Sequence, residues 1–178
     1  MIILMGLPGS GKGTQGKMLA DQHDLHLISM GELVRLYVTG DRRQRMLAGE
    51  LLDDEEVIKI LDQVLKTLPT DEEFVLDGFP RTPVQAEWLI EQVHAGRFQI
   101  DEVFYLSAST ETVKRRLKNR GRIDDKDDII NERFREYEQL TRPLVEWFRQ
   151  HDIKVTDINA ERTAPEVNDE VIKYLASK

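Results

Sequence analysis

The first residues able to do chemistry form one run near the start of the chain, Gly6-Leu7-Pro8-Gly9-Ser10-Gly11-Lys12-Gly13-Thr14. Glycines let such a loop turn its backbone N–H groups inward, and a helix opening from it adds partial positive charge, so several oxygens of a polyphosphate can be bound together. Gly9, Ser10, Gly11 and Gly13 supply that backbone, and Lys12 supplies a mobile cation. The common pattern G-x-x-x-x-G-K-[ST] places a hydroxyl directly after the lysine. Here Gly13 intervenes, which marks a subtype and leaves Thr14 as the hydroxyl available to a metal ion. Asp77 closes the apolar run Phe74-Val75-Leu76 and so stands at the carboxyl end of an expected strand. A carboxylate there can hold water on a magnesium ion, or it can cap the turn that follows. Arg116 and Arg120, four residues apart, share one face of an expected helix while Arg115 faces elsewhere. Guanidinium forks suit phosphate oxygens.

These groups need a frame. Apolar runs recur at Ile2 to Met5, Leu25 to Ile28, Phe74 to Leu76, Val103 to Leu106 and Ile153 to Val155, with segments of helical period between them. That alternation predicts an α/β fold with a five-stranded parallel sheet, because parallel neighbours need long right-handed connections that lay helices on both faces. Ligands then gather at the carboxyl ends of the strands. Gln15 to Asp24 reads as a helix opening from the glycine loop. Residues 29–68 hold helical segments punctuated by Gly40 and Gly49, a helical excursion from the sheet. From Ile130 onward, Phe134, Tyr137, Leu144 and Phe148 continue an apolar stripe that thins at Thr141, the mark of one long helix.

Composition narrows the classes. At 178 residues, 40% hydrophobic and 33% charged, the chain reads as one soluble domain, and no apolar run approaches the ~18 residues of a membrane span. The opening run Met1 to Met5 has no basic n-region or small-residue cleavage site and is expected to be a strand, not a secretory signal; with no cysteine there is no disulfide, thiolate zinc site or cysteine nucleophile, and a cytoplasmic protein is expected. His23, His26, His94 and His151 show no H-E-x-x-H spacing and read as surface or packing groups. A net charge of -8 argues against general nucleic-acid affinity. The basic run Lys114 to Arg122 is a local exception, and Asp124, Asp125, Asp127 and Asp128 follow it at once. Those aspartates suit the first turn of the next helix.

Asp77-Gly78-Phe79-Pro80-Arg81-Thr82, with Gln85-Ala86 following, closely resembles the D-G-[FY]-P-R-[TN]-x-x-Q-A element of the adenylate kinase family. Gly6 to Gln15 is similar to that family's phosphate loop, glycine after lysine included, and Gly121-Arg122-Ile123-Asp124-Asp125 is similar to its G-R-x-D-D. The resemblance covers nearly the whole chain. It implies a P-loop three-layer fold, a helical monophosphate-binding insertion at about 29–68 and a lid at about 120–128. It implies phosphoryl transfer from ATP, with Mg2+, to AMP, giving ADP. By the same resemblance Met30, Gly31, Arg35, Gly78, Arg81 and Gln85 would contact the monophosphate. Lys12, Arg116, Arg120, Arg122 and Arg133 would surround the phosphates or the donor base, Arg122 and Arg133 reaching the monophosphate as well. Asp124 and Asp125 would engage the lid arginines on closure. The protein is expected to work as a monomer, without structural zinc and without a nucleic-acid or membrane partner.

A phosphate acceptor is already an anion, so this reaction needs no general base, whereas an alcohol acceptor would need a carboxylate, for which Asp77 is the candidate. Two departures bear on specificity. Met30 stands where the family usually has threonine beside the acceptor base, while Gln85 can pair with an adenine edge as donor and acceptor together. AMP is thus expected over UMP or CMP. Gly121 alone separates Arg120 from Arg122, so the expected lid is very short, a tight turn between two helices. A nucleotide-operated switch module is the rival without catalysis, and it leaves Arg35, Arg81 and Gln85 without a purpose.

Overall fold

Five short strands form one sheet in the order β2-β3-β1-β4-β5, every neighbouring pair parallel: β1 Ile2–Met5, β2 His26–Ser29, β3 Phe74–Asp77, β4 Glu102–Ser107 and β5 Val155–Asn159. The computed structural model describes residues 1–47, 52–68, 72–122 and 125–176. β1 is central and buried along its whole length, which is why Ile2-Ile3-Leu4-Met5 reads as an unbroken apolar run. β5 departs from the expectation: it lies at Val155–Asn159, not at Ile153 to Val155. It is an edge strand whose Thr156 and Ile158 are buried while Asp157 and Asn159 are exposed, so it alternates. Ile153 belongs to the turn before it, where its N–H donates to Phe148 O.

Successive side chains of a strand point to opposite faces, and the sheet uses both. Ile3, Met5, Leu76 and Val103 pack in one core cluster with apolar residues of α2 Met30–Tyr37, α4 Asp54–Leu65, α5 Pro83–His94 and α8 Pro143–Gln150. Ile2, Leu4, Val75, Phe104 and Leu106 pack on the other side with Leu19 of α1 Lys12–His23 and with Val167 and Val171 of α9 Ala164–Ala176. Between β2 and β3 the described residues form α2, α3 Gly40–Leu47 and α4, the helical excursion expected there.

A third cluster matters most to function. Leu7 of the glycine loop packs with Val113 and Leu117 of α6 Thr110–Arg120 and with Ile130 and Phe134 of α7 Asp127–Glu136. Burying one such side chain contributes about 1.5–3 kcal/mol, so packing ties the loop to both arginine-bearing helices. The expected long helix from Ile130 is a composite: α7 runs into a π-helical turn, Tyr137–Thr141, and α8 follows. The thinning of the stripe at Thr141 coincides with that turn. π-helical turns are rare and widen the helix by one residue, which resets its faces.

Candidate active site

The carboxyl ends of β1, β2 and β3, at Met5, Ser29 and Asp77, open into a cavity of about 700 Å³, at the place where the chain reverses its direction of travel across the sheet. The glycine loop floors it. Gly6 has φ +142°, and a Cβ there would lie 2.4 Å from Leu106 O and 2.8 Å from Ser10 Oγ, so no larger residue fits between β1 and β4. α1 then starts at Lys12, three residues before the expected start at Gln15. Its N-terminus faces the cavity with Gly9, Ser10, Gly11, Gly13 and Thr14 all in the wall.

Lys12 Nζ donates to Gly6 O at 2.7 Å and to Leu7 O at 2.9 Å. Burial pushes the Lys12 pKa down to about 8, Asp77 opposes the shift, and Arg81 and Arg120 add to it. The ammonium is therefore surrounded by other cations with one carboxylate, an environment that an anion would relieve. Burial also lowers the Arg81 pKa, again with Asp77 opposing.

Asp77 stands at the end of β3, with Ser29 Oγ 3.4 Å from its Oδ2. The same Oδ2 lies 3.5 Å from where a Cβ on Gly13 would be, so the carboxylate faces the loop across open space. Among the described residues no three His, Cys, Asp or Glu side chains cluster to cage a metal. A carboxylate and the Thr14 hydroxyl in the wall of an anion-binding cavity nevertheless fit Mg2+, which takes hard oxygen ligands, keeps waters and shares phosphate oxygens with its nucleotide.

The arginines named from the sequence converge. Arg35, Arg81, Arg116, Arg120, Arg122 and Arg133 all line the same cavity, and Arg115 does not. Arg116 donates to Ser10 O at 3.3 Å and to Arg162 O at 3.2 Å, bracing α6 against the loop. Arg120 forks onto Asp125, Nη2 to Oδ1 at 2.6 Å and Nε to Oδ2 at 2.9 Å. Asp124, the other half of that expected pair, lies outside the described residues. Gly121 is left-handed at φ 66° and ends α6, and Asp127 and Asp128 open α7.

A second, smaller cavity adjoins the first and shares Gly31, Arg35, Gly78, Arg81 and Arg133 with it. Met30, Val34, Leu52 and Val57 give it an apolar side, and among the described residues Gln85 brings its only side-chain amide. Gln85 is 2% exposed and sits in the first turn of α5, where Thr82 caps the helix by accepting from Gln85 N. Asp125 lines neither cavity, and its contact with the first runs through Arg120.

Sequence reasoning missed two parts of the wall. Arg162, Thr163, Ala164 and Val167 line the cavity from the β5–α9 connection. The rule that ligands gather beyond strand ends would have found them had β5 been placed four residues later at its end. Tyr137 and Thr141 come from the π-helical turn, and Thr141 Oγ1 donates to Arg81 O at 2.9 Å. Burial and a hydrogen bond with Tyr105 raise the Tyr137 pKa, so its hydroxyl stays neutral. The sequence showed Tyr137 and Thr141 only as a member of the apolar stripe and the point where it thins, not as part of the cavity wall.

A parallel sheet, a glycine loop opening a helix at its switch point, and a lysine with convergent arginines define a P-loop phosphotransferase. A family model described as adenylate kinase matches residues 4–153. The chain is 36% identical over 172 residues to an adenylate kinase of Mycobacterium ulcerans (strain Agy99), with 93% of each chain covered. It is 37% identical over 162 residues to one of Mycobacterium tuberculosis (strain ATCC 25618 / H37Rv), covering 88% of this chain and 89% of that one. For one of Mycolicibacterium smegmatis (strain ATCC 700084 / mc(2)155) the figures are 34% over 172 residues, with 93% of each covered. The chain belongs to the adenylate kinase family and is thus a nucleoside monophosphate kinase. Among the described residues no helix is long and apolar enough to cross a membrane.

Proposed function

We propose that the protein transfers the γ-phosphoryl group of ATP reversibly to AMP, giving two ADP, and that it does so in the cytoplasm as a monomer. The observation that carries the reading is the joined pair of cavities: a cation-lined space over the phosphate loop, and beside it a smaller pocket where Met30, Val34, Leu52, Val57 and the Gln85 amide meet the shared Arg35, Arg81 and Arg133. A phosphate-binding switch would need only the first.

An oxygen of the AMP phosphate forms the new bond to phosphorus, and the bond from the γ-phosphorus to the bridging oxygen of ADP breaks. The electron pair leaves on ADP, and no proton has to move. The protein's task is to align two anions and neutralise charge on the group in flight. The loop N–H groups and Lys12 hold the donor phosphates, with Arg116 and Arg120 alongside. Arg35 and Arg81 hold the acceptor phosphate over Gly31 and Gly78, and Arg122 and Arg133 reach toward both. Met30 and Gln85 receive the acceptor base. Asp77 and Thr14 would hold Mg2+, which screens the donor phosphates when bound. Residues 29–68 act as the monophosphate-binding arm and residues 120–128 as a minimal lid.

The test is turnover with ATP, Mg2+ and a panel of AMP, UMP, CMP, GMP and non-nucleotide alcohols. AMP is expected to be the best acceptor. Preference for a pyrimidine nucleotide or an alcohol would overturn the reading, as would nucleotide binding without transfer.

A further inference from the structure

The amide of Gln85 is held at both ends by groups that permit one orientation only. Its Oε1 accepts from Arg81 N at 2.8 Å, and its Nε2 donates to Asp54 Oδ1 at 2.8 Å. A backbone N–H can only donate and a carboxylate can only accept, so turning the amide over would set donor against donor and acceptor against acceptor. One N–H and one oxygen lone pair remain for the small cavity that Gln85 lines. Their left-to-right order is fixed by these two partners.

That order has a chemical meaning. Adenine presents a ring-nitrogen acceptor beside a 6-amino donor; a 6-oxopurine presents a ring N–H donor beside a 6-oxo acceptor. The two edges are the reverse of one another. An amide free to turn over could pair with either, and an amide locked in one sense pairs with one.

We propose that Asp54 is a positioning residue that sets the polarity of Gln85 and so discriminates AMP from 6-oxopurine monophosphates, an inference that rests on Gln85 receiving the acceptor base. Asp54 is placed for this and is not consumed by helix capping. It is the first residue of α4, and the preceding Asp53 is the cap, accepting from Glu55 N at 3.0 Å. Its Oδ1 also accepts from Thr82 Oγ1 at 2.7 Å, while that Thr82 Oγ1 accepts from Gln85 N at 3.3 Å. Carboxylate, hydroxyl and amide therefore close a ring of hydrogen bonds between α4 and the first turn of α5. Thr82 and Gln85 are 8% and 2% exposed, so water competes poorly for these bonds. Arg81 N remains as the second lock, which makes the effect of losing Asp54 partial.

The experiment compares kcat/KM for AMP and for IMP in the wild type, Asp54→Ala, Asp54→Asn and Gln85→Leu, with thermal melts of each. Both Asp54 variants lose the charge at the start of α4, but only Asn keeps an oxygen that can accept from Gln85 and Thr82. Asp54→Ala is expected to cut the AMP-over-IMP ratio roughly 10-fold, and Asp54→Asn to keep it within about 3-fold of wild type. Should Asp54→Ala fail to fold, Asp54→Ser replaces it; serine suits a helix's first turn and is too short to reach the amide. An unchanged ratio in Asp54→Ala, while Gln85→Leu collapses it, removes Asp54 from specificity and leaves the acceptor reading intact. Equal loss in Ala and Asn assigns the effect to charge and overturns the proposal. A wild-type ratio in Gln85→Leu overturns both the proposal and the role of Gln85 beneath it.

Discussion

Arg120 is held two-pronged by Asp125 across the turn at Gly121, and the Asp125 side chain is 1% exposed. The same carboxylate accepts from Arg122 N at 3.1 Å. A buried carboxylate bound by a guanidinium fork and a backbone N–H fixes where the arginine points, which is worth more than the pair's contribution to stability. Asp125→Ala is therefore expected to lower kcat roughly 10-fold while the melting temperature moves little. Arg120→Ala should cost more. In the double variant the losses should fail to add, since both act through one guanidinium. Additive losses would show that Asp125 works by another route.

Lys12 bonds to two carbonyls of its own loop and must exchange them for phosphate oxygens. Lys12→Met is expected to fold normally, by circular dichroism and melting, and to lose roughly 10²-fold or more in kcat, the scale for removing one preorganised charge. Near wild-type turnover in a folded variant would sink the assignment of the loop.

The Lys12 pKa of about 8 sets a pH dependence. Phosphate favours the protonated amine, so nucleotide binding should take up a proton near and above pH 8, and affinity should fall by up to about tenfold per unit as pH rises beyond it. Calorimetry in buffers of different ionisation enthalpy measures the uptake, and Lys12→Met should abolish it. Stability carries the opposite sign: between about 8 and the ordinary lysine value of 10.5 the unfolded chain holds more protons than the fold. Stability of the ligand-free protein from this group therefore rises with pH across that window.

Gln85→Asn withdraws the amide by one methylene from Arg81 N, Asp54 and the small cavity together. It should weaken use of AMP relative to CMP and UMP, measured as kcat/KM for each acceptor. An unchanged preference would shift base selection to Met30.

α6 ends at Arg120 and α7 begins at Asp127, so the segment between them is too short to build a core of its own. Large lids exclude water as they close, and a segment of this length, if it closes over the phosphates as proposed, should do so poorly. The expected result is competent transfer with more ATP lost to hydrolysis than in a large-lidded relative. Phosphate release against ADP formation, with and without AMP, gives the comparison. Equal leakage would mean that the short turn seals the site.

The sequence by itself determined the parts whose chemistry is local. The phosphate loop needs glycines and a lysine at set offsets along one turn, and Asp77 needs only to end an apolar run. β1, β3 and β4 are buried on both faces and so write themselves as continuous apolar segments. β5 is an edge strand with one wet face; its Val155-Thr156-Asp157-Ile158-Asn159 alternates, and the neighbouring Ile153 drew the reading toward the turn. The π-helical turn at Tyr137–Thr141 shows in the sequence only as the thinning of the apolar stripe at Thr141, a signal that does not say what kind of turn lies there. Tertiary structure alone decided which side chains meet across long separations. Arg116 finds the carbonyl of Arg162, Thr141 finds that of Arg81, and Gln85 finds the carboxylate of Asp54. Those contacts depend on how helices pack on the sheet, and periodicity carries the face of a helix but not the partner that covers it.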